Sequence, residues 1–191
     1  MEPVFARFIT SLQSIVPIED WEVDIILKNS FVKTVRKNAI FKHAGSMVKE
    51  LYFVHKGCVR TYYLDKNSKE CTRSIAFENN YCWAINFLND LPIHEYIEAV
   101  GDSELLVFTK ENFNILVERS PAFRKGYMFS LEKIALAYAK RVEALITLTA
   151  KERYQSLLIH SSDMVLNISN KIVASYLGIT EQSLSRIKSL A

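Results

Sequence analysis

The chain has 191 residues, 49% of them hydrophobic, enough for one sizeable domain and a smaller one, which excludes a disordered or low-complexity protein. Its formal net charge of +3 is compatible with a nucleic-acid partner but does not identify one. Three cysteines, Cys58, Cys71 and Cys82, are an odd number at wide spacing, which argues against a disulfide framework and against a clustered metal site.

The first thirty residues read as amphipathic helices on either side of Pro17. Val4, Phe5, Phe8, Ile9 and Leu12 fall on one face of the first, and Trp21, Ile25 and Ile26 on one face of the second. No basic region precedes an apolar run here, and no apolar stretch approaches a membrane span, so a cytoplasmic protein with no membrane partner is expected. From Phe31 to Thr109 the pattern changes to short β-prone runs: FVKTV, AIFKHAG, ELYFVHKG, CVRTYYL, CTRSIAF, EYIEAV and ELLVFT. Turn signals at Gly45, Gly57, Asp65 to Ser68 and Gly101-Asp102 separate them, as in a small sandwich or barrel. Within this region Tyr81, Trp83, Phe87 and Tyr96 either line an apolar ligand pocket or pack as core, and both readings stay open at this point.

After a short helix beginning near Lys110, Pro121 marks a break before a long helix from about Ala122 to Thr147. Met128, Leu131, Ala135, Tyr138, Val142 and Leu145 alternate at spacings of three and four, the seam of a coiled coil, and are expected at a homodimer interface. Thr149-Ala150-Lys151-Glu152 has the form of a capping box, so the helix restarts there and a hinge is expected near 147–149. The division expected is a sensor domain over 1–119, a dimerisation helix and hinge over 120–148, and a DNA-binding domain over 149–191.

The last stretch, SNKIVASYLGITEQSLSRIKSLA, reads as a helix-turn-helix, with helices from Asn170 to Leu177 and from Glu181 to about Leu190. Ala174 is small where the helices cross, Gly178 can take positive φ in the turn, and Leu184 returns an apolar side chain to the joint. Val173, Leu177, Ile179 and Ile187 extend that seam, and Ser169 and Thr180 stand at the N-cap positions. With Leu184 and Ile187 inward, Gln182, Ser185, Arg186 and Ser189 face outward. Arg pairs bidentately with guanine and Gln with adenine, so Glu181, Gln182, Ser183, Ser185 and Arg186 are the expected base-reading set. Ser169, Lys171, Thr180 and Lys188 are the expected phosphate contacts.

A β domain, a long helix, a capped restart and a terminal helix-turn-helix together resemble the Crp/Fnr family of bacterial transcription regulators over essentially the whole chain. The most specific stretches are TAKERYQSLL at 149–158 and IVASYLGITEQSLSRIK at 172–188, similar above all to short members from Bacteroidetes. Gly45, LYFVHKG and Val59-Arg60 resemble the family's β-roll. The resemblance implies an α+β fold, with an N-terminal double-stranded β-helix or jelly-roll sensor domain, flanking helices, the dimerisation helix and the helical DNA-binding domain. It also implies a homodimer on a partly palindromic double-stranded operator, with RNA polymerase as a further partner.

Departures from the family pattern carry their own expectations. Members that bind a cyclic nucleotide hold it with Gly-Glu and then Arg-Ser or Arg-Thr in a phosphate cassette. The corresponding stretch here, Tyr81 to Ala99, contains no arginine, and Glu95 and Glu98 would repel a phosphate. Loss of the cyclic-nucleotide phosphate site is therefore expected, the alternative being a regulator that takes a cyclic nucleotide or another small ligand in a divergent pocket. The effector is not identified by sequence, and no cofactor or metal is expected. His43, His55 and His94 are isolated, and the first cysteine, Cys58, lies far from the N-terminal cluster of the oxygen-sensing branch. A cupin-type enzyme would need clustered ligands such as His-x-His, which are missing, so no catalysis is expected. The chain stops at Ala191, where many family members add a β wing, so phosphate contacts are expected from helices alone.

Overall fold

The computed structural model describes residues 1–87, 89 and 91–189; the expected end of the last helix at Leu190 lies outside them. The elements in chain order are α1 (Pro3–Gln13), α2 (Asp20–Lys28), β1 (Phe31–Val35), β2 (Ile40–Lys42), β3 (Glu50–Lys56), β4 (Val59–Leu64), β5 (Glu70–Ala76), β6 (Tyr81–Cys82), β7 (Tyr96–Ala99) and β8 (Ser103–Thr109). There follow α3 (Lys110–Arg119), α4 (Pro121–Thr147), α5 (Ala150–His160), α6 (Ser162–Asn167), α7 (Asn170–Leu177) and α8 (Glu181–Ser189). The fold is α+β, with a jelly-roll-like pair of antiparallel sheets in the orders β1-β8-β3-β6 and β2-β7-β4-β5. Each expected β run forms a strand; β6, two residues long, has no run of its own.

The chain divides into two compact units: residues 1–62 with 75–132, and residues 63–74 with 133–191. In the first, Leu51 to Val54 of β3 and Leu105 to Phe108 of β8 are buried without alternation. The reason is that helices cover the face of this sheet turned away from the roll interior, α1 lying on β3 and β8 and α3 on the same strands. Phe8 is the hub of that layer, its ring edge-on to Phe53 at 5.0 Å and tilted against Phe108 at 5.3 Å. Burying such a side chain contributes about 1.5–3 kcal/mol, and each favourable ring pair about 0.5–1.5 kcal/mol more.

The face assigned to α2 needs correction. Trp21 is 52% exposed, and the neighbouring Glu22 is buried instead. Its carboxylate accepts from the Ser120 hydroxyl at 2.8 Å and the Ala122 N–H at 2.9 Å, satisfying the N-terminus of α4, where orphan donors and the helix dipole favour an anion. Farther along, Gly126 lies against Leu12 of α1, and a β-carbon there would push the end of the Leu12 side chain aside.

In the second unit, α5 opens on the expected capping box. Thr149 Oγ1 accepts from the Glu152 N–H at 3.3 Å, and Glu152 accepts from the Thr149 N–H at 2.8 Å. The short helix α6 follows, with Met164 buried. The apolar centre is completed by Ile172, Val173, Ala174, Leu177 and Leu184, drawn from α7 and α8.

Candidate nucleic-acid interface

α7 ends because Gly178 adopts φ 71, and the reversal exposes carbonyls that the next amides then satisfy. The Ile179 N–H donates to Ala174 O at 3.0 Å and the Gly178 N–H to Ser175 O at 3.2 Å, the double bond of a Schellman motif. α8 starts at Glu181, its first turn capped by Thr180 Oγ1, which accepts from the Ser183 N–H at 3.2 Å. Leu184 is fully buried at the crossing, while Ile179 and Ile187 are half-buried.

This corner sorts the expected base-reading residues. Glu181, Gln182, Ser185 and Arg186 are exposed on one side of α8. Ser183 is half-buried, its hydroxyl 2.9 Å from that of Thr180, so it serves the cap. Of the expected phosphate contacts, Ser169 holds the N-cap position of α7 with extended backbone but makes no side-chain capping bond. Lys171 pairs with Glu70 at 2.9 Å, and Lys188 donates to Asn170 Oδ1 at 2.6 Å, tying α8 back to α7.

Two arginines hold the C-terminal end of α7. Arg141 of α4 donates to Tyr176 O at 2.9 Å and lies 4.1 Å over the Tyr176 ring, and Arg153 of α5 donates to Leu177 O at 3.2 Å. Cations belong at this pole of a helix. Arg141 also donates to Thr72 O at 2.8 Å and to Arg73 O, while Arg153 reaches Leu148 O at 2.7 Å. Burial pulls the Arg141 guanidinium below its ordinary value, and the nearby Arg73 acts in the same direction. No sequence signal singles out these anchors.

Along α4, Met128, Val142 and Leu145 are exposed apolar residues and Ala135 is exposed, whereas Leu131 and Tyr138 are half-buried. Tyr138 turns to the side, its hydroxyl taken by the Arg73 guanidinium. Leu136 and Ile146, absent from the expected seam, are exposed as well.

The aromatic group in the roll is divided. Tyr81 packs on Phe8 and Phe53, Trp83 on Tyr127, and Phe87 on Phe113, linked steps of one aromatic layer. Tyr96 lies elsewhere, stacked on Tyr62 at 5.2 Å with His43 edge-on. The Arg60 guanidinium lies 4.3 Å over the Tyr62 ring and donates twice to Glu98, at 2.9 and 2.6 Å. A buried arginine thus stands beside the stretch that lacks one, already neutralised by a carboxylate of that stretch. Among the described residues no group of His, Cys, Asp and Glu is placed to hold a metal ion, and no helix is long and apolar enough to cross a membrane.

Residues 32–120 match the family model of the cyclic nucleotide-binding domain. No curated protein sequence matches the chain. Among solved structures, the c-di-GMP-responsive global regulator CLP of Xanthomonas campestris is similar with a TM-score of 0.73 at 16% identity, over 90% of this chain and 91% of that one. A CooA mutant from Carboxydothermus hydrogenoformans gives 0.72 at 20% identity, over 86% and 77%. A CRP/FNR-family transcriptional regulator from Thermus thermophilus gives 0.68 at 16% identity, over 82% and 83%.

Proposed function

We propose, starting from a chain that carries a cyclic nucleotide-binding-type domain and has the fold of the Crp/Fnr transcription regulators, that it is a homodimeric, sequence-specific DNA-binding regulator. The observation that carries this reading is the corner at Gly178, which leaves Gln182, Ser185 and Arg186 exposed along one side of α8 while Leu184 is buried. Such a helix presents base-reading side chains to a major groove, and phosphate contacts from α7 and the helix ends fix its position. The roles divide as sensor over 1–119, dimerisation helix and hinge over 120–148, and DNA reader over 149–191. The exposed stripe of Met128, Ala135, Val142 and Ile146 on α4 supports a second copy of the chain as partner. A two-fold dimer spaces two reading helices by roughly 34 Å, one turn of DNA.

The sensor is read as one that has lost the cyclic-nucleotide phosphate site. Tyr81 to Ala99 offers no arginine, and the Arg60 guanidinium nearby is engaged by Glu98. The match of 32–120 to the cyclic nucleotide-binding domain favours the second reading, a ligand taken in a divergent pocket. One experiment tests both: selection of genomic DNA fragments by the purified protein, with and without cyclic AMP, repeated with Arg186→Ala. A two-fold symmetric motif without nucleotide, losing about 1–3 kcal/mol of discrimination at one base position per half-site in the variant, is expected. Enrichment only with cyclic AMP moves the assignment to the second reading, and identical motifs from both proteins remove Arg186 from base reading.

A further inference from the structure

Among the described residues β5 is the edge strand of its sheet, so one row of its N–H and C=O groups has no strand partner. Two helical side chains take up part of that row. The Ser175 hydroxyl donates to Glu70 O at 2.8 Å and accepts from the Thr72 N–H at 2.8 Å, standing in for a neighbouring strand. Arg141 donates to Thr72 O at 2.8 Å, on the same strand. The far end of the hairpin is fixed in turn, because Asp65 Oδ1 accepts from the Asn67 and Lys69 amides at 2.8 and 2.9 Å. The hairpin 63–74 is therefore a defined body seated on α7 and belongs to the same compact unit.

Lys171 and Ser175 are one helical turn apart, so both lie on the side of α7 opposite the buried Val173 and Leu177. Seating Ser175 on the strand edge brings the Glu70 carboxylate within 2.9 Å of the Lys171 ammonium. Lys171 is in the first turn of the helix that would cross the DNA backbone, where a phosphate is the natural counter-ion. Glu70 and a phosphate compete for the same charge.

We propose that hairpin 63–74 is an autoinhibitory clasp on the helix-turn-helix: Glu70 occupies Lys171 in place of a DNA phosphate, while Ser175 and Arg141 hold the strand edge that delivers it. The proposal rests on the DNA-binding reading. DNA binding and clasp closure exclude one another at Lys171, so displacement of the hairpin raises DNA affinity without touching the reading face of α8.

The test uses the full chain and a fluorescein-labelled duplex of mixed sequence, because phosphate contacts do not depend on sequence. Wild type, Glu70→Gln, Lys171→Gln and the double variant are titrated by anisotropy at low and moderate salt. Glu70→Gln should bind about two- to fivefold more tightly, the range of an exposed ion pair, and this gain should vanish in the Lys171→Gln background. Addition of DNA should speed hydrogen exchange at the Thr72 amide, which the Ser175 hydroxyl protects in the closed form. Equal affinity of wild type and Glu70→Gln, or an undiminished gain in the double variant, overturns the clasp while leaving DNA binding in place. So does unchanged Thr72 protection in the complex. Failure of all four proteins to bind the duplex overturns the DNA reading and the clasp together.

Discussion

The two compact units owe their internal order to different physics. In the roll, Phe8, Phe53, Phe108 and Phe123 are all but fully buried in one apolar layer, so stability is spread over contacts that no single polar exchange can replace. In the helical unit the apolar centre is smaller, and Arg141, Arg153 and Ser175 hold α7 through backbone carbonyls and one amide. Hydrogen bonds of that kind are worth about 0.5–1.5 kcal/mol each, or about 1.5–3 kcal/mol when charged, and water or phosphate can substitute for them. The roll is thus suited to persist, and the helical unit to rearrange.

The largest effect is expected at Phe8. Phe8→Ala should cost about 3–5 kcal/mol in the unfolding of the roll by denaturant titration, and a loss below about 1 kcal/mol would contradict the hub assignment. Arg141→Leu should cost about 1.5–3 kcal/mol and fall on the helical unit alone, read by hydrogen exchange in α7 with the roll unchanged. Equal loss of protection in β3 and β8 would erase the contrast between the units.

Glu22 gives the smallest effect and the sharpest, because it is a polar joint inside the apolar unit. Burial pushes its carboxyl up, but donation from the Ala122 amide, the Ser120 hydroxyl and the Glu19 amide outweighs that and holds it below the ordinary glutamate value of 4.5. A group depressed in the folded state contributes stability above its unfolded value and loses it as pH falls through the folded one. Glu22→Gln should cost about 1–2 kcal/mol at neutral pH and flatten the stability profile below about pH 4.5. A variant with the acid limb of the wild type would show that the cap is not ionised.

What is legible in the sequence is local. The corner Ala174, Gly178, Leu184 and the box Thr149 to Glu152 depend on spacing within a few residues, and the strand runs depend on β-prone composition between turns. The misses have physical reasons. Trp21 reads as a core residue because its apolar character suggests burial, yet the inward position goes to Glu22, whose partners Ser120 and Ala122 lie 98 and 100 residues away. β6 is too short to show a period. Arg141 and Ser175 bond to main-chain groups, which every residue carries, so no partner residue type marks them in the chain.

The seating of α4 sets the rotational phase of its first turns. Glu22 fixes where the helix starts, and the fit of Gly126 on Leu12 fixes how it is turned about its own axis. An α-helix advances by about 100° per residue, so one residue inserted after Gly126 would swing Met128 by that angle, while four would bring it to within about 40° of its place. The heading of Met128 is therefore written in α1 and α2, elements a hundred residues away in the chain.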